Sequence, residues 1–202
     1  MKTKLILFSL FLLFLSNVSS QVITEYWWTG KKKFEGKFIN NKRNDIHTYW
    51  FLFGKKELEV NYRNDVLHGK IVEWYRNGQL KFLGYYKNGK KTGRWEFWYR
   101  NGKSQNQQYY INDLNDDYWY EWYKNGQMKM KAYYVGGLLE GKWITWHKNG
   151  NKKEEGYVKE GQKEGLWTEW YQNGRKRMEA EYHNGYLISY PKYWWSDGKV
   201  DN

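Results

Sequence analysis

From Tyr26 onward the chain alternates short aromatic and β-branched stretches with polar turns, and the alternation has a fixed step. Glycines stand at Gly30, Gly54, Gly78, Gly102, Gly126, Gly150, Gly174 and Gly198, 24 residues apart without insertion or deletion. Four residues before each comes an aromatic ring: Tyr26, Trp50, Trp74, Trp98, Trp122, Trp146, Trp170 and Trp194. The adjoining column reads Trp27, Phe51, Tyr75, Tyr99, Tyr123, His147, Tyr171 and Trp195. A third, eight after the glycine, holds Phe38, Tyr62, Tyr86, Tyr110, Tyr134, Val158 and Tyr182, and a fourth holds Trp95, Trp119, Trp143 and Trp167. Self-similarity at a fixed step is the signature of a repeat architecture, in which one unit cannot bury its own apolar face and stacked copies can.

Within one unit, Glu73 to Glu96, two Asn-Gly pairs, Asn77-Gly78 and Asn88-Gly89, bracket an aromatic stretch. Asn-Gly favours the type I′ hairpin turn, since both central residues need positive φ. Between the turns, Leu80, Phe82, Gly84 and Tyr86 are expected on one face and Lys81, Leu83 and Tyr85 on the other; in another copy the second face carries Lys153, Glu155 and Tyr157. Helical spacing is not sustained, so each unit reads as two antiparallel strands. The fold expected is all-β: an elongated antiparallel β-hairpin array of about eight repeats, or roughly fifteen strands at about 4.8 Å each, giving a ribbon of about 70 Å. The Trp and Tyr ladders form its core. The small column at Gly84, Ala132, Gly156 and Ala180 leaves room for a facing indole.

Composition agrees. Residues 21–202 hold about 30 Leu, Ile, Val and Phe, roughly 16%, under the ~20% that with high net charge usually signals disorder. The 14 Trp and 20 Tyr supply the missing apolar area, and 11 of those Trp fall in the two Trp columns. No cysteine is present, which excludes disulfides, thiolate metal sites, a catalytic Cys and a lipidated Cys. The net charge of +12 favours acidic partners.

The first twenty residues read as an address. Lys2 and Lys4 precede an apolar run from Leu5 to Leu15, and Val18 and Ser20 end it with compact residues, the form of a secretory signal peptide cut after Ser20. The run is shorter than the about 17–25 residues of a spanning helix, so no transmembrane segment is expected after cleavage. Residues 21–202 then form a single repeat domain, exported to the periplasm, cell surface or medium, and a nucleic-acid partner is not expected.

The columns Trp74 to Trp95 and Trp146 to Trp167, with Asn149-Gly150, Gly156-Tyr157, Glu160-Gly161 and Gly165-Leu166-Trp167 in phase, resemble the MORN repeat in its bacterial variant form. The resemblance runs from about Tyr26 to Gly198. It implies β-hairpins in an elongated sheet and a role in protein–protein contacts or association with membrane phospholipids. It brings no catalytic residues and no cofactor. Bacterial members often carry a YwqK-type antitoxin label, which implies a toxin partner in the cytosol and fits an exported chain poorly.

Enzymatic constellations are absent. His47, His68, His147 and His183 sit at four different phases, with His147 in the Tyr75 column and His47 in the Trp95 column as packing substitutes. Glu73, Glu121 and Glu169 share a column but lie near 20 Å apart at about 4.8 Å per strand, beyond the ~5–9.5 Å of paired glycosidase carboxylates. No metal ligand set stands out. Binding chemistry is the alternative. Arg76, Arg100, Lys124 and Lys148 precede the repeat glycine by two, and Lys81, Lys129, Lys153 and Arg177 follow it by three. All eight are expected along one hairpin rim, a candidate surface for an anionic membrane, an acidic protein partner or the cell envelope. Exposed aromatic ladders suit sugar rings. Pro191, in the Trp95 column, reads as a stop to the array. The fourth copy departs from the pattern at Ser104, Asn106 and Gln108 and adds Asp113, Asp116 and Asp117.

Overall fold

A computed structural model describes residues 18–201, so the expected signal segment lies largely outside the described residues. Eighteen strands run β1 (Ser20–Tyr26), β2 (Lys32–Ile39), β3 (Lys42–Trp50), β4 (Lys56–Arg63), β5 (Val66–Trp74), β6 (Leu80–Lys87), β7 (Lys90–Trp98), β8 (Ser104–Ile111) and β9 (Leu114–Asn115). They continue as β10 (Asp117–Trp122), β11 (Met128–Val135), β12 (Leu138–Trp146), β13 (Lys152–Lys159), β14 (Gln162–Trp170), β15 (Lys176–His183), β16 (Tyr186–Leu187), β17 (Lys192–Trp194) and β18 (Val200–Asp201). Each pairs antiparallel with its sequence neighbours in one open sheet, except that β8 holds both β9 and β10, and β15 both β16 and β17, which are fragments of single strand positions. The expected hairpin meander is what the chain forms, and Pro191 lies at one of these breaks.

The two rims use different turns. One follows the type I′ expectation: Asn88 and Gly89 have φ of 51° and 81°, and Asn64-Asp65, Asn112-Asp113, Gly136-Gly137 and Asn184-Gly185 repeat the pattern. The other does not. At Asn77-Gly78 only the glycine has positive φ; Gly78 N–H donates to Tyr75 O and Tyr75 N–H to Gln79 O, both at 2.8 Å. This is a three-residue loop, a type I turn closed by a left-handed glycine, with a bulge where the strands begin. The Asn77 side chain braces this loop: Oδ1 accepts from Gln79 N–H at 3.2 Å and Nδ2 donates to Arg100 O at 2.9 Å. The bulge also corrects the face assignment. Glu73 pairs with Phe82 but Trp74 pairs with Leu80, so Leu80 shares a face with Trp74 and not with Phe82.

One face is packed, the other open. On the packed face, a second bulge opposite Gly84 carries Trp95 over the Gly84 backbone. A Cβ there would lie 2.2 Å from the indole, and the same holds for Gly156 under Trp167. Both indoles are buried. Each Nε1–H donates to a carbonyl ten residues back, Trp95 to Tyr85 O at 3.2 Å and Trp167 to Tyr157 O at 3.0 Å. The smallness of these glycines is what counts, since neither has positive φ. Where the small residue is larger the hydrogen bond is lost: Trp143, across from Ala132, and Trp119, across from Gln108, bury Nε1–H without a partner. In the Gln108 copy the Asp116 N–H takes the vacated Tyr109 O at 2.9 Å.

Neighbouring repeats are joined by rungs at the loop rim. Tyr75, Tyr99, Tyr123 and Tyr171 hydroxyls donate to Trp98 O, Trp122 O, Trp146 O and Trp194 O at 2.7–2.9 Å. His147 Nε2 does the same to Trp170 O at 2.9 Å, so His147 is the packing substitute expected. The Trp74 column is half-buried on the open face, where Lys32, Lys56, Lys152 and Lys176 lie 5.5–5.9 Å over Trp50, Trp74, Trp170 and Trp194.

Filling the space under an indole tests this packing. Gly84→Ala and Gly156→Ala should each cost about 1–3 kcal/mol in chemical denaturation. Ala132→Gly, beneath an indole that has already given up its bond, should change stability far less.

Candidate functional site

The three-residue loops stack into a rim in which each copy lies two strands, about 10 Å, from the next. The Asn of each loop locks the next: Asn101 donates to Lys124 O at 3.1 Å, Asn125 to Lys148 O at 2.9 Å and Asn173 to Ser196 O at 2.9 Å. Backbone bonding holds the loops, so the side chains of Arg100, Lys124 and Lys148 are exposed. Arg76 lies 5.8 Å over the Phe51 ring. None of these four has a carboxylate partner within salt-bridge distance among the described residues.

The second expected column lies elsewhere. Lys81, Lys129 and Arg177 occupy the loop-side bulges and are paired with Glu73, Glu121 and Glu169 at 2.7, 2.8 and 3.0 Å, as Lys33 is with Glu25 at 2.9 Å. The Glu121 carboxylate holds the Lys129 ammonium above its ordinary range. Lys153 stands beside Glu154, Glu169 and Arg177 in a shallow depression. These cations are largely neutralised within the sheet, and the eight do not form one free row.

The rim gains other cations that sequence reasoning missed. Lys55, Lys103 and Arg175 immediately follow the repeat glycine and reach to the next loop: Lys55 Nζ donates to Asn77 O at 2.9 Å, Lys103 Nζ to Asn125 O and Arg175 to Ser196 O at 3.3 Å. Their column, with Lys31 and Lys199 beside Gln79, Gln127 and Asn151, is basic in five of the eight copies, so the signal for it was present in the sequence. Only the stacking of loops shows that it alternates with Arg76, Arg100, Lys124 and Lys148 on one edge.

At its N-terminal end the rim turns apolar. Trp28 and Leu52 stand in the column of Arg76, and Phe53 in the column of Asn77. Trp28 is 82% exposed and Phe53 83%. With Trp27, Phe51, Lys55, Glu57 and Arg76 they line a depression of about 620 Å³. Every other copy has Thr, Asn or Asp at the Phe53 position, a turn-forming residue. Phe53 therefore gives up a rung that its neighbours keep and gains no burial in return. Among the described residues no group of three His, Asp or Glu side chains is placed to hold a metal.

The repeat matches a family model described as the MORN repeat variant at residues 67–88, 91–112, 139–160 and 163–184. Each matched segment is one hairpin around a three-residue loop, in the phase of the structural repeat. The chain is a MORN-variant repeat protein. No curated protein matches it. Among solved structures, a crystal structure of a GtfA/B complex bound to UDP and GlcNAc aligns with 57% of this chain and 22% of that chain, at 12% identity and a TM-score of 0.25. The chain thus spans about a fifth of that polypeptide, and so loose a superposition carries no argument.

The copies of this MORN-variant array that fall outside the matched segments are where the pattern bends. Matched copies have glycine at the left-handed bulge, Gly69, Gly93, Gly141 and Gly165; the others have Asp45 and Asp117. His47 belongs to such a copy. It is 0% exposed, covers Gly36 as Trp95 covers Gly84, and its Nε2 stands 3.0 Å from Lys37 O, the place of the indole N–H. Nε2 therefore carries the proton, and Nδ1 is buried without a partner. Burial pushes the His47 imidazole below its ordinary pKa; the bond to Lys37 O opposes this and the Arg43 guanidinium adds to it.

The neutral form is favoured in the folded state. Its contribution is complete above the unfolded value of about 6.5 and declines as pH falls below it. His47→Trp restores the column residue and removes the titration. Denaturation midpoints measured from neutral to mildly acid pH should fall more steeply for the wild-type chain than for this variant.

Proposed function

We propose that this MORN-variant chain is an exported, non-catalytic scaffold that docks edge-on against an anionic membrane through its three-residue-loop rim. The observation that carries the reading is the apolar tip: Trp28 and Phe53 protrude, with half-buried Leu52 beside them, from the end of a row of cations that lack carboxylate partners. Trp and Phe beside Lys and Arg is the chemistry of the membrane–water interface, where a ring enters the headgroup region and the cations meet lipid charge. Each rim Lys or Arg near the surface supplies about 1 kcal/mol, screened by salt. Regular spacing adds these terms along the edge. The MORN-variant fold supplies the rigid rim, and the family is generally non-catalytic.

Sedimentation with phosphatidylserine-containing and pure phosphatidylcholine vesicles tests the reading. Binding should favour the anionic vesicles, weaken with salt, and be lost in Arg100→Glu, Lys124→Glu. Equal binding to both vesicle types, or binding indifferent to salt, would overturn it. Phe53→Asn separates function from stability. It should restore a rung to Arg76 O and raise stability by ~0.5–1.5 kcal/mol, yet weaken vesicle binding several-fold together with Trp28→Ser.

A further inference from the structure

A second surface lies on the open face, away from the loop rim. Tyr85, Tyr109, Tyr133 and Tyr157 occupy one column at the 24-residue step, where other copies carry Lys37, Asn61 and Glu181. The sheet therefore does not need a ring at this position. Tyr85, Tyr109 and Tyr157 are exposed by 40% to 54%. The hydroxyls that the fold uses, those of Tyr75, Tyr99, Tyr123 and Tyr171, each donate to a carbonyl. Those of Tyr85, Tyr109, Tyr133 and Tyr157 make no hydrogen bond among the described residues.

The ladder is deepest at its centre. Tyr118, opposite Tyr133 in the register, packs edge-to-face on it at 5.0 Å between centroids. Lys131 Nζ stands 4.6 Å from the Tyr118 ring. With Lys142, Ile144, Tyr157 and Gly141 they enclose a shallow depression of about 320 Å³. Beside it, Glu155 is held by Lys142 and Lys152. Burial would raise its pKa, but the two ammonium groups keep the carboxyl below its usual range, so it stands ready as an acceptor. Rings with free hydroxyls, flanked by ammonium donors and an ionised carboxylate, suit a ligand with apolar faces and a polar rim.

The geometry points to a linear β-1,4-linked glycan lying across the strands on Tyr85, Tyr109, Tyr133 and Tyr157. Two strands advance the ladder by about 10 Å, close to the length of one disaccharide in such an extended chain. Every second sugar would then meet a tyrosine in the same orientation, its C–H face on the ring and its equatorial hydroxyls toward Tyr Oη, Lys131, Lys142 and Glu155. An α-linked glycan coils and falls out of step with the ladder. This reading is independent of the rim, which lies along the sheet edge.

Native gels run toward the cathode, with polymer in the matrix, test it. The full chain should be retarded by hydroxyethylcellulose and by carboxymethylcellulose but not by pullulan. Tyr133→Ala with Tyr157→Ala should weaken the retardation by about tenfold, while Leu138→Ser, exposed on the same face outside the ladder, should leave it unchanged. If the first pair perturbs the circular dichroism spectrum, Tyr85→Ala with Tyr109→Ala serves in its place. No retardation in hydroxyethylcellulose, or retardation that survives the tyrosine changes, would overturn the proposal. So would retardation confined to carboxymethylcellulose and abolished by Arg100→Glu, Lys124→Glu, which would place it on the rim.

Discussion

A sheet one layer thick has no second layer to bury its apolar face, and everything else in this chain follows from that. The solution is a ring laid flat over a missing side chain. Trp95 on Gly84 and Trp167 on Gly156 put an indole against bare backbone and give its N–H a carbonyl. Each repeat thus makes its own roof from one large and one small residue. The left-handed bulge residue two positions before the indole, Gly93 or Gly165, turns the strand so that the ring can reach. This explains a composition poor in Leu, Ile and Val and rich in Trp. Aliphatic side chains stand up from a sheet and need a partner layer, whereas an indole can lie down on its own.

Repeats of this kind contact only their neighbours, so their energetics are nearly one-dimensional. The Tyr hydroxyl and Asn amide rungs are the coupling terms, each spanning 23 residues to the next loop. A copy that departs from the pattern loses its own rung and leaves distant ones intact. That locality lets a single array hold unlike surfaces. Phe53 can leave the Asn column at one end of the rim, and tyrosines can fill an open-face column in the middle copies, without loss of the roof elsewhere.

The sequence repeat revealed the hairpin meander and the indole-over-glycine packing, because those depend on contacts that recur from copy to copy. It predicted roughly fifteen strands where the sheet has eighteen, since two strand positions are broken at copies that depart from the pattern. Turn type was not legible from Asn-Gly alone. The same dipeptide makes a type I′ turn at Asn88-Gly89 and a three-residue type I loop at Asn77-Gly78, and the loop with Phe53 in place of the Asn closes in the same way, so loop length and register set the turn and the amide does not. The rim was half legible. Arg100 and Lys81 looked equivalent by count, but a bulge places Lys81 against Glu73 while Arg100 stays on the loop. The column of Lys55 and Lys103 is basic in five of eight copies, but only stacking shows that it interleaves with the Arg100 column on one edge.

Regularity also changes how an exception is weighed. In an ordinary domain an exposed phenylalanine or a tyrosine with an unbonded hydroxyl has no reference state. Here every position has up to seven others in the same environment, and they supply one. At the Phe53 position the others are hydrogen-bonding turn residues, so the ring stands where stability would prefer an amide. At the Tyr133 position the others include Lys37, Asn61 and Glu181, so stability is indifferent and the ring is unconstrained by the fold. His47 is the opposite case: an imidazole that reproduces the ring and the N–H of the indole it replaces belongs to the packing, although by residue type it would be the first suspect for chemistry. Comparison down a column therefore separates residues held by the sheet from residues the sheet merely carries, and it is the second kind that can bind.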